Sequence, residues 1–74
     1  MEEIAENFAK AHLDSSVVCL NRAWDMAAAA KVNYEQAGNN YAASNCDRMM
    51  SDIAQIIWEM KIQIEPDTRA MEGE

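Results

Sequence analysis

The sequence has little of what breaks helices or performs chemistry. Only two glycines, one proline, two cysteines and one histidine occur among its 74 residues. So few helix breakers favour long helices over many short elements. The two cysteines and the histidine show neither CxxC nor HxxxH spacing, so they form no zinc-binding pattern. Phosphate-binding glycine loops and nucleophile motifs are also missing. We therefore expect no enzymatic activity, no metal and no cofactor.

Basic residues are scarce as well. There are 6 Lys and Arg against 13 Asp and Glu, which gives a net charge of -7. Nucleic acid and anionic membranes both attract clustered Lys and Arg, so direct binding to either is not expected. A basic surface on another protein is a compatible partner. No apolar run approaches the roughly 18 residues of a membrane span, and Glu2 and Glu3 are acidic where a secretory signal is basic. We expect a cytoplasmic location.

Two apolar stripes at helical spacing dominate what is present. The first predicts a helix over about 40–64, and Met49 and Ile56 widen it on one side. Its members are Ala43, Cys46, Met50, Ile53, Ile57, Met60 and Ile64. The second predicts a helix over about 15–37. Its members are Leu13, Val17, Leu20, Trp24, Ala27, Lys31 and Tyr34.

The two predicted helices match in length and are separated by Gly38-Asn39-Asn40. Glycine is the usual residue just after a helix, and asparagine commonly caps the start of the next one. A short turn between equal helices predicts an antiparallel hairpin. Facing residues then have numbers that add up to about 77, so that Trp24 lies in the core near Ile53.

The N-terminal part has an apolar stripe of its own, formed by Ile4, Phe8 and Ala11. Its phase changes at Asp14-Ser15-Ser16, where Asp and Ser favour helix starts. We predict a short separate helix over 2–13 with a break near Asp14. A single unbroken helix over 2–37 is the alternative. The fold class is thus all-α, with one helical domain over 1–66 and a flexible acidic tail over 67–74.

A two-helix hairpin leaves much apolar surface uncovered. The first helix could fold back to make a three-helix bundle, or two hairpins could pair into a dimeric helical bundle. We prefer the homodimer, with Met49, Ile56 and Phe8 in its interface. Cys19 and Cys46 lie too far apart along the hairpin for a disulfide, which fits a reducing compartment.

A second stripe on the last helix carries the functional prediction. Trp58 and Ile62 are predicted to bind a partner protein, with Asp52 and Glu59 as a charged rim, because Trp is common in interface hot spots. The protein is then an adaptor or inhibitor. The alternatives are an acidic decoy for the nucleic-acid-binding groove of another protein, and a self-assembling structural hairpin. Asp47 is expected on a solvated charged face, and Asp14 or Ser15 is expected to cap a helix rather than to form a triad with His12.

Overall fold

The protein is a hairpin of two α-helices. A computed structural model of the chain describes residues 2–65, in which α1 covers Glu2–Gln36 and α2 covers Asn40–Ile64. The predicted all-α class and the predicted hairpin are confirmed, and α2 has the predicted bounds. No strand occurs within residues 2–65. The predicted acidic tail at 67–74 lies outside the described residues.

The predicted break near Asp14 is wrong, because α1 is one helix of 35 residues. Asp and Ser in a helix interior cost only about 0.5 kcal/mol each relative to alanine, and the long helix keeps its backbone hydrogen bonds at these positions. The change of phase in the apolar stripe has another cause. Ile4 and Phe8 lie on the side of α1 that faces away from α2, whereas Leu13 and Val17 face α2. The stripe therefore changes face within a continuous helix.

Residues 37–39 form a turn with well-defined caps at both ends. The Asn39 N–H donates to the Tyr34 carbonyl at 2.9 Å, and the Gly38 N–H donates to the Glu35 carbonyl at 3.0 Å. These are the two bonds of a Schellman motif, which requires a left-handed residue, and Gly38 has φ of 78°. The Asn39 side-chain oxygen then accepts from the Ala42 N–H at 3.1 Å and caps α2. The predicted glycine C-cap and asparagine N-cap are both confirmed.

The other end of α2 is closed by its own last turn. The Glu65 N–H donates to the Lys61 carbonyl at 2.8 Å, and the helix ends at Ile64. Pro66 follows in the sequence, and a residue that precedes proline is disfavoured in helical geometry. The C-terminal end of α2 is thus where Pro66 predicts it.

The two helices meet along the predicted stripes. Val17, Ala43 and Cys46 are the buried side chains of residues 2–65. The other members of the α2 stripe are all half-buried. An ion pair joins Lys31 of α1 to Asp47 of α2, so facing residues have numbers that add up to about 78. The predicted register is therefore right to about one residue, while the specific contact of Trp24 with Ile53 stays a prediction.

Much of the apolar surface remains exposed. Trp24 was predicted to be core, but it is 37% exposed, because a single neighbouring helix covers only one side of so large a ring. At the open end of the hairpin, residues 2–12 extend beyond the end of α2 and are all exposed. Ile4 is 57% exposed and Phe8 is 64% exposed.

Gly38 offers a direct test of the turn. Replacing Gly38 with Ala should destabilise the hairpin by about 1 kcal/mol, because alanine pays a steric penalty in the left-handed region. No atom lies within 4 Å of the added Cβ, so the cost comes from the backbone alone. Urea unfolding followed by circular dichroism measures it. Gly38→Asn is the control and should lose less, because Asn tolerates this conformation. If the Ala variant is as stable as the parent, Gly38 does not have the left-handed conformation that this turn requires.

Candidate protein-binding surfaces

The hairpin has two sides, each with a groove between the helices. Trp58 and Ile62 of α2 line one groove, together with Asp14 and Val17 of α1. Ile56 of α2 lines the other. Successive helical residues are rotated by about 100°, so Trp58 and Ile56 point about 160° apart around α2. Trp58 and Ile62, two of the predicted partner-binding residues, thus lie on the opposite side of the hairpin from Ile56, which was predicted in the dimer interface.

The first groove, which we call the Trp58 groove, lies near the open end of the hairpin. Its volume is about 340 Å³. It is lined by Asp14, Val17, Trp58, Lys61, Ile62, Ile64 and Glu65. Trp58 is 47% exposed and Ile62 is half-buried. An exposed indole in an apolar groove with charged groups of both signs at its edge resembles the usual arrangement of a protein-binding site, with an aromatic anchor and a polar rim.

The second groove belongs to a wider apolar surface. It has a volume of about 570 Å³ and is lined by His12, Ser15, Ser16, Cys19, Leu20, Ile56 and Met60. Met26 of α1 and Met49 of α2 lie on the same side by helical rotation and are 64% and 47% exposed. We call this side of the hairpin the Ile56 face. It includes the two dimer-interface residues predicted on α2.

Phe8, the third residue predicted in the dimer interface, lies apart from Met49 and Ile56. It is on α1 within the part that extends beyond the end of α2, and it points about 140° away from the direction of Leu13. Phe8 therefore borders the Ile56 face only at the open end of the hairpin. The structure does not place it beside the other two residues.

Asp52 and Glu59, the predicted rim of the partner-binding site, lie on the outer side of α2. Both are exposed, and the Glu59 carboxylate accepts a hydrogen bond of 3.3 Å from the Gln55 side chain. Asp52 points about 40° from Ile56 but about 120° from Trp58. The rim beside Trp58 is instead made by Asp14, Lys61 and Glu65. Sequence reasoning missed Asp14 and Lys61 because they are brought to Trp58 by the pairing of the helices.

An ion pair that was not predicted connects the helices near the turn. The Lys31 Nζ lies 2.9 Å from Asp47 Oδ1. Asp47 was expected on a solvated charged face, and its side chain is indeed 57% exposed, but it also reaches Lys31 across the contact between the helices. The hydrogen bond and the charge of Asp47 raise the pKa of Lys31 above its usual value of 10.5. The pair shows the register of the two helices.

The structure places His12 and Asp14 in different grooves. His12, Ser15 and Ser16 line the groove of the Ile56 face, whereas Asp14 lines the Trp58 groove. Cys19 is exposed and Cys46 is buried, both as free thiols, as the register predicted. Within residues 2–65, no three His, Cys, Asp or Glu side chains are grouped so that they could hold a metal ion.

No protein-family model, no curated protein and no solved structure matches this chain. Neither described helix is long and apolar enough to cross a membrane.

The Lys31–Asp47 pair makes a testable contribution. Lys31→Gln should lower the urea midpoint slightly at pH 7, because an exposed ion pair contributes little. A raised lysine pKa in the folded state stabilises the protein below pH 10.5, and this contribution is lost as the pH rises through the folded value. The urea midpoints of parent and variant should therefore converge once the pH exceeds the pKa of Lys31 in the folded state. They should also converge in high salt. Lys10→Gln is the control. A difference that persists at high pH would contradict the pair.

Proposed function

We propose that this chain is a small protein-interaction factor that acts as an adaptor or inhibitor by binding a macromolecular partner through its helical surfaces. The proposal is supported by the contrast between the few side chains that are buried and the many large apolar side chains that are exposed. Three side chains of residues 2–65 are buried, while eleven large apolar side chains are exposed. Large contiguous apolar surfaces on small proteins usually mark interaction sites.

The Trp58 groove is the proposed site for another protein. Trp58 provides a large amphipathic anchor, and Ile62 and Val17 provide the apolar floor. Asp14 and Lys61 offer charges of both signs at the edge. A partner segment with an apolar side chain and a neighbouring basic group fits this arrangement, since the chain has a net charge of -7. The edge charges would mainly set the association rate, while the desolvated indole would carry the affinity.

The binding unit that we propose is a homodimer. The Trp58 groove and the Ile56 face lie on opposite sides of the hairpin. A second copy on the Ile56 face would therefore leave the Trp58 groove free for another protein. The proposal includes no catalytic turnover, no metal and no cofactor.

The decoy for a nucleic-acid-binding groove has less support. A decoy needs carboxylates arrayed on one surface in the way that phosphates are arrayed on nucleic acid. In the hairpin Asp14 and Asp52 lie on different sides, and Asp47 is paired with Lys31. The salt dependence of partner binding separates the two functions. A decoy would lose orders of magnitude in affinity between low and high salt, whereas binding through Trp58 would change little.

Replacing Trp58 with Ala tests the proposed site. The partner is captured from the native cell with the parent chain, purified, and titrated against both chains. We expect the dissociation constant to rise by about 30-fold or more, which corresponds to about 2 kcal/mol for loss of a central aromatic anchor. Circular dichroism and sedimentation should show unchanged helicity and mass, because Trp58 is half exposed and lies away from the Ile56 face.

Ser51→Ala is the matched control, because Ser51 is exposed on the same helix and lines neither groove. It should bind as the parent does. If the Trp58→Ala variant binds the purified partner as tightly as the parent, the site is elsewhere. If the purified protein turns over a substrate or requires a stoichiometric metal, the proposed function fails.

A further inference from the structure

The Ile56 face has the size that a stable dimer needs. Two helices lie side by side over the length of α2, which is 25 residues or roughly 37 Å. With helix axes about 9 Å apart and helices about 10 Å wide, one side of the hairpin measures roughly 700 Å². Specific protein interfaces bury about 600–1,000 Å² on each partner. One side of this hairpin is therefore enough for a specific contact.

The α1 part of this face carries no formal charge along most of the helix. By helical rotation, the side of α1 that includes Ser16, Cys19 and Leu20 contains no Asp, Glu, Lys or Arg from Ala5 to Tyr34. Several of its residues are alanines, which allow another helix to approach closely. The α2 part is apolar at its centre, and Asp52 and Glu59 lie along its outer edge together with Arg48, so that this edge has a net negative charge. The face thus has one uncharged half and one half with an acidic border.

We propose that a second copy of this chain packs on the Ile56 face, with its two-fold axis parallel to the helices, so that α1 of each copy lies against α2 of the other. The product is a four-helix bundle in which every pair of adjacent helices is antiparallel. This inference rests on the self-association proposed above and assigns its arrangement. Leu20, Ile56 and Met60 of both copies then form the centre of one continuous core.

Charge complementarity selects this arrangement. Residues whose numbers add up to about 78 lie at the same level of the hairpin, as the Lys31–Asp47 pair shows, and a two-fold axis along the helices preserves these levels between copies. Arg22 is therefore level with Ile56 of the second copy. Asp52 and Glu59 flank Ile56 by four and three residues, which is about one turn on each side. Arg22 lies on the outer edge of α1, about 60° from Cys19, so its long side chain can reach either carboxylate.

Arg22 has no competing ion pair within the hairpin. The ion pair among residues 2–65 joins Lys31 to Asp47. The other two-fold arrangement, with the axis across the helices, places α2 against α2 and brings the two acidic edges together. That contact is less favourable, because each of the two edges carries two carboxylates, Asp52 and Glu59, against one basic residue, Arg48. The arrangement with α1 against α2 instead provides two Arg22 clusters related by symmetry.

Charge reversal tests the arrangement, with sedimentation equilibrium of the full chain as the measurement. The parent should be a dimer at micromolar concentration. Arg22→Glu should raise the dimer dissociation constant by about tenfold, because each of two symmetric sites changes from attraction to repulsion. Adding Asp52→Lys and Glu59→Lys to Arg22→Glu should return the constant close to the parent value.

Arg48→Glu is the control, because it makes the same change in charge on the outer side of α2 at the level of Ala30, where no acidic residue faces it. It should raise the dimer dissociation constant by about threefold at most. A parent chain that is monomeric throughout would overturn the proposed self-association itself. A dimeric parent in which Arg22→Glu and Arg48→Glu behave alike, or in which the triple variant is not restored, would overturn this arrangement and leave self-association standing. Partner binding through Trp58 is measured separately and is not affected by either result.

Discussion

Two helices in contact along one line bury very little, and this constraint governs the rest of the molecule. Each helix can turn only one stripe toward its neighbour, so the side chains that become fully buried are those at the centre of the contact: Val17, Ala43 and Cys46. Two of these three are small. Side chains that would form the core of a larger domain, such as Trp24 and Ile56, remain partly exposed. A chain of this size commonly needs oligomerisation, a metal or disulfides to become stable.

The same constraint gives the hairpin two usable sides. One side carries an aromatic anchor, Trp58, with charges at its edge, and the other side is apolar and nearly free of charge on α1. These differences suit different partners. Charged groups at the edge of a groove give specificity for one partner protein over another. A broad apolar face with many alanines instead suits close packing of helices. One side would then bind another protein, and the other side would bind a second copy of the chain.

The hairpin could be predicted from the sequence because local and long-range signals agreed. Gly38 and Asn39 have the side chains that a Schellman turn and an N-cap require, and the two stripes on either side have matching lengths. The break near Asp14 was predicted wrongly, because Asp and Ser lower helix stability by only a fraction of a kcal/mol each. The apolar stripe indicated a change of face but could not distinguish it from a change of helix. The ion pair of Asp47 with Lys31 was not predicted, because a stripe does not show how far a lysine on the other helix can reach. The Trp58 groove combines residues from both helices, so its rim could be assigned only once the register was known.

A second copy on the Ile56 face would stabilise the folded hairpin by covering its apolar surface. Thermal unfolding measured over a hundredfold range of protein concentration tests this dependence, because a folded state that is dimeric is stabilised by mass action. The midpoint of unfolding is expected to rise steadily with concentration. A midpoint that stays constant over that range would show that one hairpin is stable with its Ile56 face exposed, and would contradict the proposed self-association.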